Sequence, residues 1–257
     1  MYQLGAQLYT LRDYTKTDAD FLETLKKVKE IGYQVVQVSG IGADCTIEGV
    51  AAALKETGLD CGATHINFDD LLNNFDREVY KHKSWNCEYV GIGGLPKRYI
   101  DAGAEGYIQF AKDASEVTNK LKAEGLKFIY HNHHHEFAKY GDKIALDIIA
   151  ENVCPDFQFE LDLHWVTAGG GDPIWWIKKM ADRMEVIHFK DFQIKMPERE
   201  RIFAPIGEGN LNWDGIIETC KQSGIKYYFV EQDNCYGRCP FECLESSYKF
   251  ITSKGIK

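Results

Sequence analysis

Four helix-to-strand junctions in this chain share one device. Ile31-Gly32-Tyr33, Thr57-Gly58-Leu59, Glu124-Gly125-Leu126 and Ser223-Gly224-Ile225 each set a glycine between an amphipathic stretch and a strand-like run. The residue after a helix is often asked to adopt a left-handed conformation, which costs any residue bearing a Cβ, so glycine marks the helix end. Repeated along the chain, this punctuation demands a fold in which helix and strand alternate. Strand-like runs lie at Gln3 to Leu8, Gln34 to Val38, Asp60 to Ile66, Glu88 to Ile92, Leu126 to His131, Phe157 to Leu163, Glu185 to Phe189 and Lys226 to Glu231. Between them apolar residues recur at helical spacing, as at Phe21, Leu22, Leu25, Val28 and Ile31. Helix starts are marked by Thr17 ahead of Asp18 and Asp20, and by Asp172 followed by Pro173. Eight such units in 257 residues predict an α/β fold, a closed (β/α)8 TIM barrel, with a doubly wound open sheet as the alternative. Without a Pro-rich or Ser-rich linker or a low-complexity tract, one domain is expected over residues 1–257.

The formal net charge of -9 works against a nucleic-acid partner, whose affinity rests on Lys and Arg neutralising phosphates. No apolar stretch is long enough to cross a bilayer, so no membrane partner is expected. Met1-Tyr2-Gln3-Leu4 runs straight into a strand without a signal-peptide pattern, and the expected location is cytoplasmic. The eight cysteines are spread through a long chain and read as reduced thiols. Cys235, Cys239 and Cys243 recur every four residues, which reads as a packed or incidental helix face, with a cluster or zinc site as the alternative were the segment a loop.

In a barrel of parallel strands the C-terminal strand ends converge on one mouth, so residues far apart in sequence meet there. Four potential metal ligands sit at such ends in succession: His131, Asp162, His188 and Glu231. Two imidazoles and two carboxylates suit a divalent cation. Alternation along a strand turns His131 and His133 to the same side, and does the same for Glu160 and Asp162. Paired carboxylates inside a barrel need a cation, a proton or a lysine to compensate them. Singly, a polar strand end is often only a cap, and the tract His131-Asn132-His133-His134-His135-Glu136 is equally a solvated loop or a scavenger of stray metal. Four in succession are harder to dismiss.

The stretches His188-Phe189-Lys190-Asp191, Gly207-Glu208-Gly209-Asn210-Leu211-Asn212-Trp213 and Glu160-Leu161-Asp162, with Glu231, resemble the xylose isomerase-like barrel superfamily of sugar phosphate isomerases and epimerases. The resemblance implies that Asp162, His188 and Glu231 hold one divalent ion, manganese, magnesium, cobalt or zinc. Many relatives complete the shell with a glutamate followed by Asn and His, where this chain has His131-Asn132-His133. Either His131 takes over, which is the favoured expectation, or Glu160 or Glu136 does. His65 stands where relatives carry a pocket histidine. Trp165 replaces a further histidine ligand of the endonuclease-type relatives, which together with the acidic charge argues against a nuclease.

The expected activity is metal-dependent isomerisation or epimerisation of a sugar or keto-sugar through proton abstraction beside a carbonyl and an enediolate. The expected base is His133, or a carboxylate raised by its surroundings, Glu160 or Glu136. Lys190 is expected to neutralise substrate charge or donate a proton, with pairing to Glu160 as the structural alternative. His65, Trp165 and Glu208 are the expected substrate contacts, and Tyr9 and Trp213 are either walls for the sugar or core. Elimination from a keto-sugar or inositol, as in cleavage of 3-keto glycosides, is the close alternative. A non-catalytic sugar-binding barrel and a DNA repair nuclease stand behind it. The expected partner is a small sugar or polyol, with self-association left open. Neither Gly169-Gly170-Gly171 nor Gly207-Glu208-Gly209 supports a nucleotide cofactor.

Overall fold

A computed structural model describes residues 3–256. Met1, Tyr2 and Lys257, part of the expected domain, lie outside the described residues. Eight strands close a parallel barrel: β1 (Gln3–Gln7), β2 (Val35–Val38), β3 (Asp60–Ile66), β4 (Tyr89–Ile92), β5 (Lys127–His131), β6 (Gln158–Asp162), β7 (Val186–Phe189) and β8 (Tyr227–Val230). Each strand pairs with its neighbours in chain order, and β8 closes on β1 through Gln3 to Ala6 against Tyr227 to Val230. Single-domain (β/α)8 architecture follows. No helix among the described residues is long and apolar enough to cross a membrane.

The expected punctuation is present. Thr17 forms a reciprocal capping box with Asp20, and Asp172 caps the helix Pro173–Met180 through the Trp175 N–H. Gly58 closes its helix in the left-handed region with φ of 62°. One expectation fails: Cys235, Cys239 and Cys243 do not share a helix face. The last helix starts at Pro240, so Cys239 is its cap and Cys235 precedes it in a loop. Proline at the first helical position explains that start, since its missing N–H is not needed there.

Outward strand residues such as Val36, Val90, Phe128, Phe159, Ile187 and Tyr228 pack in the main core between barrel and helices. Inward residues form layers that grow more polar towards the mouth. Val35, Ala63, Tyr89, Ile129, Val186 and Phe229 fill the lower barrel. A Cβ at Gly5 would lie 2.4 Å from the Phe229 ring, so that glycine makes room for the Phe229 side chain in the plug. Above it lie buried Gln37, Glu160 and His188, and above them the mouth.

Two antiparallel hairpins interrupt the regular alternation, Lys139–Tyr140 with Lys143–Ile144, and Asp191–Lys195 with Glu200–Ala204. The second is anchored by buried Asp191, whose carboxylate accepts from the backbone N–H groups of Phe192, Gly207, Gly209 and Leu211 and from the Trp213 indole at 2.6 Å. The Gly207 to Trp213 motif is therefore a turn wound on a carboxylate, and Trp213 belongs to the core rather than to a sugar wall. Replacing Asp191 by Asn exchanges one acceptor for a donor that faces other donors. Chemical denaturation should show a loss of about 2 kcal/mol, and an unchanged midpoint would refute this account of the turn.

Candidate metal centre

His131 ends β5, Asp162 ends β6, His188 lies in β7 and Glu231 follows β8, so four consecutive strands each present one group. All four are buried, and one donor atom from each lies within 4.8 Å of the other three. His131 Nε2 is 3.3 Å from Asp162 Oδ2. His188 Nδ1 is 3.3 Å from Glu231 Oε2 and 3.8 Å from Asp162 Oδ2, without the geometry of a hydrogen bond to either.

The surroundings aim these donors. His188 Nε2 faces two acceptors, Gln37 Oε1 at 2.5 Å and Glu160 Oε1 at 3.2 Å, so its proton belongs on Nε2 and the Nδ1 lone pair is left for an ion. Asp162 Oδ1 accepts from the Trp165 N–H, and the Asp162 N–H donates to Asn132 Oδ1, which leaves Oδ2 facing the other donors. Two nitrogens and two carboxylate oxygens with one buried, unpartnered nitrogen on His188 fit a dication of the zinc, cobalt or manganese type. Burial opposes charge on His188, yet Glu160, Asp162 and Glu231 hold its pKa well above the ordinary value. A dication entering here displaces a proton.

Lys190 occupies the same cluster. Its Nζ lies 2.6 Å from Glu231 Oε2, 3.0 Å from Asp162 Oδ2 and 3.2 Å from the Asp233 carboxylate, so its partners are these three rather than Glu160. Although burial disfavours the ammonium, Asp162, Glu231 and Asp233 raise its pKa above the ordinary value. Asp233 is pushed up to about 6, first by burial and then by the Glu231 carboxylate.

Glu160 differs from its expectation as a raised carboxylate. Gln37 Nε2 at 2.8 Å and His65 Nε2 at 2.5 Å bond to it, and His188 and His65 outweigh burial to hold it below the usual carboxylate range. It is a saturated anion that orients imidazoles. Glu136 is raised, to about 7, by burial. It accepts from the Tyr130 hydroxyl at 2.5 Å and from the His133 N–H at 2.9 Å, and so props the loop that carries His133.

A cavity of about 1220 Å³ opens over the centre, with Tyr9, His65, His131, His133, Lys190 and Glu231 in its wall near the strand ends and Asp69 and Arg98 further out. His133 is neutral, its pKa pulled down to about 2 by burial and then by His131, and its Nδ1 has no hydrogen-bond partner. Trp165 packs against His133, His134 and Phe203 behind the cavity lining, with its indole nitrogen buried and unpartnered. Glu208 is exposed and stands away from the cavity, because Arg238 at 2.8 Å and Ser246 at 2.5 Å draw it to the last helix and its preceding loop. Sequence reasoning missed Gln37 and Asp233. Gln37 had a signal, a lone polar residue at an inward position of the run Val35-Val36-Gln37-Val38.

The Glu136 carboxyl carries a pH signature. Its folded pKa of about 7 exceeds the unfolded value near 4.5, so the folded state binds more protons between them and stability falls as pH rises through that window. Neutral buried histidines such as His131, His133 and His164 act in the opposite sense in parent and variant alike, so the readout is a difference: between pH 5 and pH 7.5 the thermal midpoint of the metal-free parent should fall relative to that of Glu136→Gln. An equal dependence on pH in both proteins would refute this signature.

Comparison with known proteins places these features. The family model described as xylose isomerase-like TIM barrel matches residues 25–235. A sugar phosphate isomerase/epimerase from Parabacteroides distasonis ATCC 8503 is 21% identical over 100% of both chains, with a TM-score of 0.84. An L-ribulose 3-epimerase is 13% identical over 98% of this chain and 94% of its own, with a TM-score of 0.74. The probable 3-DHS dehydratase from Bacillus anthracis is 12% identical over 97% of this chain and 98% of its own, with a TM-score of 0.72. At these identities the likeness is one of fold. No curated protein sequence matches.

Proposed function

The chain belongs to the xylose isomerase-like TIM barrel family, and from that premise we propose that it is a divalent-metal-dependent isomerase or epimerase of a sugar or keto-sugar. The convergence of His131, Asp162, His188 and Glu231, two of which (His131 and Glu231) line a cavity together with His133, carries this proposal. Bound by those four residues, a dication supplies Lewis-acid stabilisation of negative charge developing on a substrate oxygen.

The chain's own groups supply the proton chemistry. His133 lines the cavity with a neutral imidazole and takes the proton from the carbon beside the carbonyl, which requires the negative charge developing on substrate to raise a pKa that burial and His131 otherwise depress. The Lys190 ammonium, also in the cavity wall, donates to substrate oxygen. Asp233, with its pKa near 6 and its contact to Lys190, exchanges that proton with solvent. Glu160 stays ionised and keeps His65 and His188 oriented. His65 meets substrate from the cavity wall, and Trp165 backs His133.

A panel of keto-sugars in deuterated water, with manganese, cobalt or zinc added, tests the proposal. Metal-dependent incorporation of deuterium beside the carbonyl supports it, whereas sugar binding without exchange would turn the protein into a non-catalytic barrel. The cavity volume favours a second reading. At about 1220 Å³ it exceeds the roughly 300–1,000 Å³ of typical ligand sites, which suits a glycoside whose aglycone leaves after the same deprotonation. A neighbour of the same fold is a probable dehydratase. Release of aglycone from a 3-keto glycoside would select elimination, and a changed sugar at constant mass would select epimerisation.

A further inference from the structure

We propose that His133, His135 and Glu136 form a second dication site, separate from the four-ligand centre and suited to zinc or cobalt. The tract from His131 to Glu136 carries donors that the four-ligand centre does not use. In the fold, one donor atom from each of these three residues lies within 4.8 Å of the others. His135 Nδ1 is 3.0 Å from Glu136 Oε2. The Nδ1 atoms of His133 and His135 are both buried without a hydrogen-bond partner, and the two rings stand nearly parallel, 14° apart with centroids 5.7 Å from one another.

Glu136 is fully buried, and among the described residues its one ion-pair partner is His135. A carboxylate in that position calls for a proton or a cation, because desolvation penalises its charge. Two imidazole nitrogens, one carboxylate oxygen and an open fourth position make the donor set of an exchangeable zinc site, whereas magnesium favours oxygen ligands. Tetrahedral bonds of about 2.0–2.1 Å bring donors to about 3.3 Å from one another. The present spread is wider, so His133 and the partly exposed His135, at the start of the short 3-10 helix His135–Phe137, would turn towards a Glu136 carboxylate that the Tyr130 hydroxyl and the His133 N–H hold in place. Access comes from the cavity beside Gly94, where a Cβ would lie 3.4 Å from His133 Cε1 and 3.9 Å from His133 Nδ1.

An ion held there ties up the imidazole to which the proposed function assigns proton abstraction. On that reading, zinc beyond one equivalent inhibits.

Zinc chloride titrated into the chelator-stripped full chain, read by calorimetry and by metal content after gel filtration, tests the site. The parent should bind two ions and His135→Ala one, with the midpoint for inhibition by excess zinc raised at least tenfold in the variant. His135→Gln repeats the measurement if the alanine variant melts early. A parent that binds a single ion, lost in the His135 variants, would support this site and refute the four-ligand centre. Stoichiometry that the His135 variants leave unchanged, or a parent that binds no zinc, overturns the proposal.

Discussion

Exchange of Glu231 for glutamine is expected to slow metal-dependent deuterium incorporation by about 10³-fold, the upper range for loss of one preorganised electrostatic group, while leaving the metal-free protein nearly as stable as the parent. The two halves of this result have separate causes. Gln preserves volume, Lys190 keeps Asp162 and Asp233 as partners, and His188 keeps Glu160, so no buried cation is stranded. The shell for a dication, however, drops from two carboxylates to one. Metal affinity should fall along with the rate, and saturating metal should restore only part of it. Full exchange activity in the variant at ordinary metal concentrations would remove Glu231 from the centre.

Replacing Lys190 with methionine is expected to do the reverse. In metal-free protein it strands Asp162, Glu231 and Asp233 together in a buried cluster without the ammonium that now touches all three. Breaking a buried ion pair from one side costs about 3–5 kcal/mol. The loss should be greater at pH 8 than at pH 5, because protonation can relieve facing carboxylates at the lower pH. Manganese or zinc should then restore stability, by about 2.7 kcal/mol at a hundredfold excess over Kd. The gain should exceed that of the parent, in which an entering dication competes with the lysine for the same oxygens. Thermal denaturation with and without metal measures both effects. Equal metal-induced gains in the two proteins would show that Lys190 and the ion do not share ligands.

Strand positions were legible to within about one residue because an inward and outward alternation leaves its period in the sequence, and β3 runs from Asp60 to Ile66 as expected. The meeting of the four strand-end groups was legible for a related reason. Parallel order turns succession along the chain into adjacency around a ring, so His131, Asp162, His188 and Glu231 had to stand side by side once the barrel closed. Glu160 shows where this stops. Its position facing inward was evident, but its partners Gln37 and His65 come from β2 and β3 across the barrel, and no local pattern records which side chains meet across the interior. Glu208 and Lys190 are similar cases. One is drawn off by Arg238 and Ser246 beside the last helix, and the other passes over Glu160 for the carboxylates nearer the mouth.

By itself the sequence determined the alternation of elements, the order of the strands and the set of polar groups delivered to one end of the barrel, since these follow from short-range periodicity and chain order. Only the tertiary structure decided which of those groups are saturated anions, which are neutral imidazoles and which nitrogens lack partners. Charge state and hydrogen bonding depend on distances of a few ångströms between strands remote in sequence, and those distances exist only after the sheet has closed on itself.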